Sequence, residues 1–433
     1  MKIIHRMISA AAVLLAAQAP AHAATMQAPA EEAAVQPDAQ RTEHRPVLLI
    51  TIDGLSPDSL FRPGKAGPNI PVLRGLLREG SYAERVVNVN PTVTNPNHTS
   101  LVTGVSPALH GVFNNRPFAA TARLPESFSQ YATIRVPTLW SAAKGAGLRT
   151  ASVYWPVTKG AAPIDININT GNSGDDEQIT KDAVRIIVEH RPYFMTVHYV
   201  SHDSAQHAYG PGSAEGIAAL ERIDREIGKL VAAYRAQNPR GVIAIASDHG
   251  FDRTARQVNL NIPFADAGLI TFTDDTRSEV KSWRAFAWYV GGSAMVVLRD
   301  PGDAALEAEV SAFLATLAKR PDAGIAAILG PRELAGRGLS DQARFVIALK
   351  PGYRMGNAMT GAFSEAYSGG SHGAFSSPTT RRDMHSGFIL VGEGIAANKS
   401  LGTIDIRQIA PTLAGLLNVP FDTAQVPALM IGQ

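Results

Sequence analysis

Short apolar runs bounded by turn residues recur along the chain and predict the strands of a sheet. The runs lie at 47–53 (VLLITID), 148–154 (LRTASVY), 193–200 (YFMTVHYV), 241–247 (GVIAIAS) and 386–392 (SGFILVG). Segments with helical spacing lie between or beside them, at 68–79, 136–146, 176–190, 214–236 and 405–418. Alternation of strands and helices along a chain is typical of a parallel sheet whose strands are buried. We therefore expect an α/β sandwich with a central, mostly parallel sheet.

The alternation changes between residues 251 and 365. Mixed polar segments surround a predicted strand at 294–298, a predicted helix at 303–319 and a second predicted strand at 343–349. We interpret 251–365 as a smaller subdomain inserted into a catalytic domain that occupies 46–433.

The first residues predict export from the cytoplasm. Lys2 and Arg6 precede the apolar run 8–17, and small residues follow it. This pattern is typical of a secretory signal peptide, which we place at 1–23, with a flexible linker at 24–45. The apolar run is shorter than the ~20 residues of a membrane span. We expect a protein without a membrane span in the periplasm or outside the cell, and the sequence leaves the choice between the two open.

Composition limits the possible chemistry. The 433 residues are 45% hydrophobic, which indicates a globular protein, and they include no cysteine. Any zinc site must therefore use histidines and carboxylates. The formal net charge is +2 and falls to zero once the two basic residues of the predicted signal peptide are removed. We expect no sequence-specific binding to nucleic acids.

Acidic and histidine residues lie at four places next to glycine turns. Ligands of open parallel sheets bind beyond the carboxyl ends of the strands, where several of these residues lie. Read separately, they could be a turn cap, a surface turn or a polar loop. Together they supply three ligands for each of two zinc ions, a pair that can stabilise attacking and leaving oxygens at phosphorus. The six residues are Asp53, Asp203, His207, Asp248, His249 and His372.

A nucleophile is predicted in the segment NPTVTNPNHTSLVTG. Thr94 precedes Pro96 at the start of a predicted helix. A metal-bound threonine hydroxyl is a strong nucleophile, and the helix amino terminus offers N–H groups to a phosphate. The alternative is that Thr94 only caps the helix, and Thr92 and Thr99 are rival hydroxyls. Spacing alone does not choose among them.

These motifs together resemble the nucleotide pyrophosphatase/phosphodiesterase family of the alkaline phosphatase superfamily. The matching segments occur in the family's order over nearly the whole predicted mature chain. They are IDG (52–54), TNPNH (94–98), LVTG (101–104), HGVFNN (110–115), DSAQHAYGP (203–211), SDHG (247–250) and SHG (371–373). The resemblance implies an alkaline-phosphatase-like α/β/α sandwich and a hydrolase of phosphate esters.

The resemblance also implies roles for individual residues. The family's threonine stands two residues before the proline of the PNH motif, which selects Thr94. One zinc ion would be held by Asp203, His207 and His372, and the other by Asp53, Asp248, His249 and the Thr94 oxygen. Asn115 resembles the asparagine that donates to a non-bridging phosphate oxygen. The implied mechanism is a double displacement through a phosphothreonine.

Departures from the family pattern bear on the substrate. Asn95 stands where nucleotide-cleaving relatives usually carry an aromatic residue that stacks on the base, so base stacking there is lost. Gln206 replaces the usual glycine before His207, which should change the shape of the loop while leaving both ligands available.

A third departure lies after the predicted strand 148–154. The segment YWP at 154–156 resembles the family's FWPGS segment, but Val157 and Thr158 replace glycine and serine. Tyr154 or Trp155 could line a substrate face, or both could belong to the core.

Alternative hypotheses of function remain beside a phosphodiesterase or pyrophosphatase acting on nucleotides or related small molecules. A phosphomonoesterase would need extra polar groups, for which Lys159 and Arg116 are candidates. A non-catalytic binding protein is disfavoured because the six ligands and the nucleophile are all present, and a sulfatase because a threonine occupies the nucleophile position. The leaving group and the oligomeric state are not predicted.

Overall fold

The computed structural model describes residues 44–62, 67–169 and 175–432. The predicted signal peptide lies outside these residues, as does the predicted linker up to residue 43. The strands are β1 (Val47–Ile52), β2 (Ser81–Val87), β3 (Thr150–Val153), β4 (Ile166–Ile168), β5 (Phe194–Tyr199), β6 (Val242–Ala246), β7 (Asp252–Val258), β8 (Ile270–Phe272), β9 (Val280–Trp283), β10 (Ala285–Tyr289), β11 (Ser293–Leu298), β12 (Ile325–Leu329), β13 (Phe345–Leu349), β14 (Tyr353–Met355), β15 (Ser364–Ser371), β16 (Ser386–Val391), β17 (Lys399–Ser400) and β18 (Thr403–Asp405). The α-helices are α1 (Pro57–Phe61), α2 (Pro71–Glu79), α3 (Thr94–Thr103), α4 (Pro107–His110), α5 (Leu139–Gly145), α6 (Asp176–His190), α7 (Ser201–Tyr209), α8 (Ala214–Gln237), α9 (Asn261–Asp266), α10 (Ala304–Leu317), α11 (Pro331–Leu334) and α12 (Ile409–Leu417).

A nine-stranded sheet forms the centre of the fold, with strands in the order β17-β2-β16-β6-β1-β5-β3-β4 and β18 also paired to β2. Most neighbours are parallel, and β16 is antiparallel to both β2 and β6. Strand β1 lies between β5 and β6, with Val47 opposite Phe194 and Val242. The carboxyl ends of these three strands therefore meet at one edge of the sheet.

Helices cover both faces of this sheet. Alternate residues of β1 point to opposite faces, so that Leu49 packs in one buried cluster while Leu48 and Ile50 pack in another. The first cluster includes residues of α3, α5 and α12, and the second includes residues of α2, α6 and α8. Both faces of the strands are buried, which explains why β1 reads as a continuous apolar run rather than an alternating one.

The part of the chain from β7 to β15 forms smaller sheets. Strands β10-β11-β13-β12 form an antiparallel sheet, and helix α10 packs its buried residues Leu306, Val310 and Leu314 in the same cluster as this sheet. Strands β14-β7-β15 form a second sheet and β8-β9 a third. The boundaries 251–365 for an inserted subdomain stay a prediction.

The predicted alternation of strands and helices is confirmed, including β11, α10 and β13 in the region between 251 and 365. One expectation was wrong: the run 386–392 forms β16, which is antiparallel to its neighbours. A buried apolar run does not encode strand direction, because the direction depends on how the chain enters the sheet. Strand β2 was not predicted, since Glu84 and Arg85 interrupt its apolar residues.

Candidate active site

The acidic and histidine residues singled out in the sequence converge at the carboxyl ends of the central strands. Asp53 follows β1 directly, and Asp248 and His249 follow β6 after one residue. Helix α7 follows β5 and carries Asp203 and His207 one turn apart, as their spacing predicted. His372 comes directly after β15. The six residues form two groups that could each hold a metal ion.

The first group consists of Asp53, Asp248 and His249, all of them buried. His249 Nε2 lies 3.3 Å from Asp53 Oδ1 and 3.2 Å from Asp248 Oδ2. The backbone N–H of Gly54 donates to the other oxygen of Asp248 at 3.2 Å, which leaves Oδ2 directed at the group.

The second group consists of Asp203, His207 and His372. His372 Nε2 lies 3.1 Å from His207 Nε2 and 3.8 Å from Asp203 Oδ1, and His207 Nε2 lies 3.5 Å from the same oxygen. The rings of His249 and His372 stack with centroids 3.7 Å apart, so the two groups are adjacent.

Both groups have the properties of metal sites. Asp53 Oδ1, Asp203 Oδ1 and Asp248 Oδ2 are buried and have no hydrogen-bond partner among the described residues. Burial, and then the neighbouring Asp203 and Asp248, raise the pKa of Asp53 well above its usual range, as expected where buried carboxylates lie close together. Tetrahedral zinc with bonds of about 2.0–2.2 Å places its ligand atoms about 3.3–3.6 Å apart, close to the separations in both groups.

Thr94 is the first residue of α3, and its hydroxyl faces the first group. Its Oγ1 lies 3.4 Å from His249 Nε2 and 3.5 Å from Asn115 Nδ2. The N-cap of the helix is Val93, and no side chain caps the helix there. The rival hydroxyls are engaged elsewhere: Thr92 donates to the Ala374 carbonyl at 2.8 Å and Thr99 to the Asn95 carbonyl at 2.7 Å.

Asn115 is held in place by its neighbours. Its Oδ1 accepts from the backbone N–H of Asn95 at 2.8 Å, so its Nδ2 is the group directed at Thr94. Asn114 accepts from the Asn115 backbone N–H at 2.8 Å and donates to the carbonyl of Tyr289 at 2.7 Å. Thr94, Asn115 and the second group line one cleft of about 230 Å³.

Two buried histidines that sequence reasoning did not select lie behind these residues. The Nδ1–H of His98 donates to the Thr94 carbonyl at 3.0 Å, and His98 Nε2 lies 3.0 Å from Thr51 Oγ1 and 3.1 Å from His198 Nδ1. His198 Nε2 lies 3.4 Å from Asp53 Oδ2. A histidine inside an apolar strand was the available signal for His198, and His98 lay in the TNPNH motif.

The departures from the family pattern have structural explanations. Asn95 is buried, and its side chain donates to the carbonyls of Asn115 and Phe128, so it does not face a substrate. Gln206 is buried and donates to the Gly54 carbonyl at 3.0 Å, which joins α7 to the turn after Asp53.

The remaining candidate residues divide between core and surface. Tyr154 and Trp155 belong to the two buried clusters that flank the central sheet. Lys159 is exposed and is not among the residues that line the cleft. Arg116 does line the cleft, where one guanidinium nitrogen donates to the Pro125 carbonyl.

The profile of the family described as type I phosphodiesterase / nucleotide pyrophosphatase matches residues 47–375. This span contains both candidate metal groups and Thr94. The chain belongs to this family. The type I phosphodiesterase / nucleotide pyrophosphatase family lies in the alkaline phosphatase superfamily, so the family and superfamily predicted from the motifs are confirmed.

Relatives and solved structures agree with this assignment. Human ectonucleotide pyrophosphatase/phosphodiesterase family member 1 is 30% identical over 226 residues, which are 49% of this chain and 24% of that protein. Venom phosphodiesterase 2 of Crotalus adamanteus is 29% identical over 225 residues, 48% of this chain and 27% of that protein. The chain thus matches only about a quarter of the length of these relatives.

The fold is alkaline-phosphatase-like, as the motifs predicted. Human ectonucleotide pyrophosphatase/phosphodiesterase 5 superposes with a TM-score of 0.67 at 19% identity, over 87% of this chain and 96% of that one. An inactive variant of the murine protein in complex with AMP gives a TM-score of 0.68 at 19% identity, over 90% and 98%. None of the helices in the part of the chain that the structure describes has the length and apolarity needed to cross a bilayer.

Proposed function

We propose that this protein is a zinc-dependent hydrolase of phosphodiester or pyrophosphate bonds in nucleotides or related small molecules. The observation that carries the proposal is the position of the Thr94 hydroxyl, 3.4 Å from His249 Nε2 and at the edge of two candidate metal groups. Membership of the family supports the same reaction class. The human relative is described as a nucleotide pyrophosphatase/phosphodiesterase, and the murine neighbour was solved with AMP.

Two zinc ions per chain fit the donor atoms. Asp53, Asp248, His249 and the Thr94 oxygen would hold one ion, and the group of Asp203, His207 and His372 the other. When bound, the ions supply Lewis-acid stabilisation of the attacking and leaving oxygens. Burial lowers the pKa of His372 well below its usual range, which keeps its ring neutral and able to coordinate.

The residues of the chain carry the reaction in two displacements. The Thr94 hydroxyl loses its proton to water as its oxygen attacks phosphorus, and the bond from phosphorus to the leaving-group oxygen breaks, with the electron pair leaving on that oxygen. The resulting phosphothreonine is then hydrolysed by water, which restores the Thr94 hydroxyl. Asn115 Nδ2, 3.5 Å from Thr94 Oγ1, is placed to donate to a non-bridging oxygen whose charge grows in the transition state.

A phosphomonoesterase is the second candidate, and Arg116 is the observation that favours it. Its guanidinium lines the cleft one residue after Asn115 and could bind a further phosphate oxygen. Asn95 gives no base stacking, because it is buried and bonded to backbone carbonyls.

The experiment compares hydrolysis of a p-nitrophenyl phosphodiester with that of p-nitrophenyl phosphate by the zinc-loaded protein. We expect a higher kcat/KM for the diester. A preference for the monoester would replace the proposal by the phosphomonoesterase hypothesis, and absence of both activities would leave a non-catalytic binding protein.

We also propose that the protein is exported through a signal peptide at 1–23 and acts in the periplasm or outside the cell. The catalytic domain would then span 46–433, with 251–365 as the inserted subdomain. Sequencing the amino terminus of the exported protein tests the cleavage site, and we expect it to begin at Ala24.

A further inference from the structure

Three side chains from different strands of the smaller sheets form a connected group at the rim of the cleft. Arg354 on β14 donates to the hydroxyl of Tyr289 on β10 at 2.8 Å and to the hydroxyl of Tyr367 on β15 at 2.5 Å. The Arg354 guanidinium also lies 4.6 Å from the centroid of the Tyr367 ring. All three side chains are partly exposed, so they remain open to a ligand.

This group lies on the side of the cleft formed by Asp203, His207 and His372. Tyr289 lines the same cleft as these residues. A Cβ atom placed on Gly369 would lie 2.4 Å from the His207 carbonyl oxygen and 3.3 Å from the Tyr367 hydroxyl, so both atoms border Gly369.

The hydrogen bonds leave donors free for a ligand. Each phenol oxygen accepts from Arg354, so each keeps its own O–H proton for donation. Neither Tyr289 nor Tyr367 has an acceptor for that proton among the described residues. The result is two hydroxyl donors polarised by one cation, an arrangement that suits an anion.

We propose that Tyr289, Arg354 and Tyr367 form a subsite for a phosphate-bearing leaving group. The inference rests on the proposed function and refines it, because it selects pyrophosphate bonds over simple diesters. In an in-line displacement the leaving oxygen lies opposite the attacking Thr94 oxygen. Thr94 adjoins the group of Asp53, Asp248 and His249, so the leaving group faces the other metal group and the rim beside it.

The chemical step is unchanged by this assignment. A bond forms between the Thr94 oxygen and phosphorus, and the bond from phosphorus to the bridging oxygen breaks. The electron pair leaves on that oxygen, which belongs to the departing phosphate or pyrophosphate. Tyr289 and Tyr367 donate to the oxygens of this anion, and Arg354 acts through them as a positioning residue that also neutralises its charge.

The test uses two substrates that transfer the same thymidylyl group. Thymidine 5′-triphosphate releases pyrophosphate, and p-nitrophenyl thymidine 5′-phosphate releases nitrophenolate. We expect Arg354→Gln to lower the ratio of kcat/KM for the triphosphate to kcat/KM for the nitrophenyl ester by about tenfold or more, as loss of a charge-assisted contact predicts. Arg354→Lys should recover part of this ratio, because it restores the charge but lacks the planar guanidinium that donates to two acceptors in a fixed geometry.

The control variant is Arg256→Gln. Arg256 lies on β7 of the same sheet and donates to Ser364, and neither residue lines the cleft. We expect the substrate ratio of this variant to stay within about twofold of the parent, since exposed charges at a distance are screened. Tyr289→Phe and Tyr367→Phe remove only a hydroxyl each, and each should lower the ratio less than Arg354→Gln does.

The outcomes separate this inference from the proposed function. Suppose that the parent hydrolyses both substrates and that Arg354→Gln and both phenylalanine variants keep the kcat/KM ratio of the parent. The group then only holds the strands together, and the inference is wrong. Equal losses on both substrates would also contradict it. If the parent hydrolyses neither substrate, the proposed function fails and the inference fails with it.

Discussion

Thr94 is distinguished from its neighbours by what its hydroxyl contacts. Thr92 and Thr99 bond to backbone carbonyls, whereas Thr94 faces His249 and Asn115. A hydroxyl that lies close to candidate metal ligands and has no backbone acceptor among the described residues is available for attack. We therefore expect substitution of Thr94, but not of Thr99, to abolish most of the activity.

Thr94→Ala should lower kcat for a phosphodiester by on the order of 10³-fold or more, because it removes the hydroxyl that faces His249 in the first metal group. Thr94→Ser should keep measurable activity. Thr99→Ala is the matched control and should stay near the parent, since it loses only a bond within α3. Steady-state kinetics at fixed zinc concentration measure the effect. Activity in Thr94→Ala comparable to the parent would exclude Thr94 as the nucleophile.

His98 is expected to orient the residues around the first metal group. It donates to the Thr94 carbonyl, and its Nδ1 lies 3.4 Å from Asp248 Oδ2. We expect His98→Asn to weaken zinc binding about 10- to 100-fold, as loss of an outer partner of a metal ligand usually does. Competition with a chelator measures the affinity, and His190→Asn on the surface is the control. Equal zinc affinity in the two variants would contradict this role.

The sequence selected the candidate ligands and the candidate nucleophile but not the buried residues that contact them. Asp53, Asp248 and His372 could be selected because, together with Asp203 and His207, they supply three ligands for each of two ions, although each alone has a structural explanation. His98 and His198 are buried and bonded to Thr51 and to each other, so their importance depends on contacts between distant segments. Spacing along a chain does not reveal such contacts.

At the scale of elements, the loop that carries Asn115 begins at α4. His110, the last residue of α4, is fully buried. Its Nδ1 accepts from the Val112 backbone N–H at 3.1 Å, and its Nε2 lies 3.2 Å from Ser100 Oγ. Burial lowers the pKa of His110 to about 3, so the ring is neutral in the folded state near neutral pH. This histidine links helix packing to the position of the loop.

His110 should make stability depend on pH. The unfolded chain takes up a proton near pH 6.5 and the folded state only near pH 3, so stability is complete above pH 6.5 and is lost as the pH falls toward 3. Between pH 7 and pH 5, proton uptake by His110 in the unfolded chain lowers the free energy of unfolding by about 2 kcal/mol. Urea unfolding measures the free energy of unfolding at the two pH values. Its decrease from pH 7 to pH 5 should be about 2 kcal/mol smaller in His110→Asn than in the parent. The same pH dependence in both proteins would contradict the account.

The apolar runs identified the central strands because both faces of the sheet are covered by helices. They did not identify β2, whose polar residues reflect its partial exposure, or the antiparallel direction of β16. Direction and strand order arise from the path of the whole chain. Elements were therefore more predictable than their arrangement.

At the scale of the whole molecule, the site joins segments from residue 53 to residue 372. Three buried carboxylate oxygens that have no hydrogen-bond partner in the described part of the chain meet there, which is unfavourable unless cations neutralise them. Tyr289 at the end of β10 also lines the cleft, as do Val290 and Gly291 of the turn that follows. Metal binding should therefore stabilise the folded chain as well as support activity.

Removal of zinc should lower the melting temperature. Zinc at a hundredfold excess over its Kd adds about 2.7 kcal/mol for each site that binds only the folded state. Differential scanning calorimetry with a chelator, and then with zinc restored, measures this shift, and metal analysis should give two zinc ions per chain. A melting temperature that is independent of zinc, or a stoichiometry below two, would contradict the two-metal site.

The most direct test of the central claim is the stereochemical course of hydrolysis at phosphorus. A single diastereomer of p-nitrophenyl thymidine 5′-phosphorothioate would be hydrolysed in ¹⁸O-labelled water, and the configuration of the product determined. Attack by Thr94 followed by attack by water gives two inversions, so we predict overall retention of configuration. Overall inversion would show direct attack by water and would contradict a phosphothreonine at Thr94.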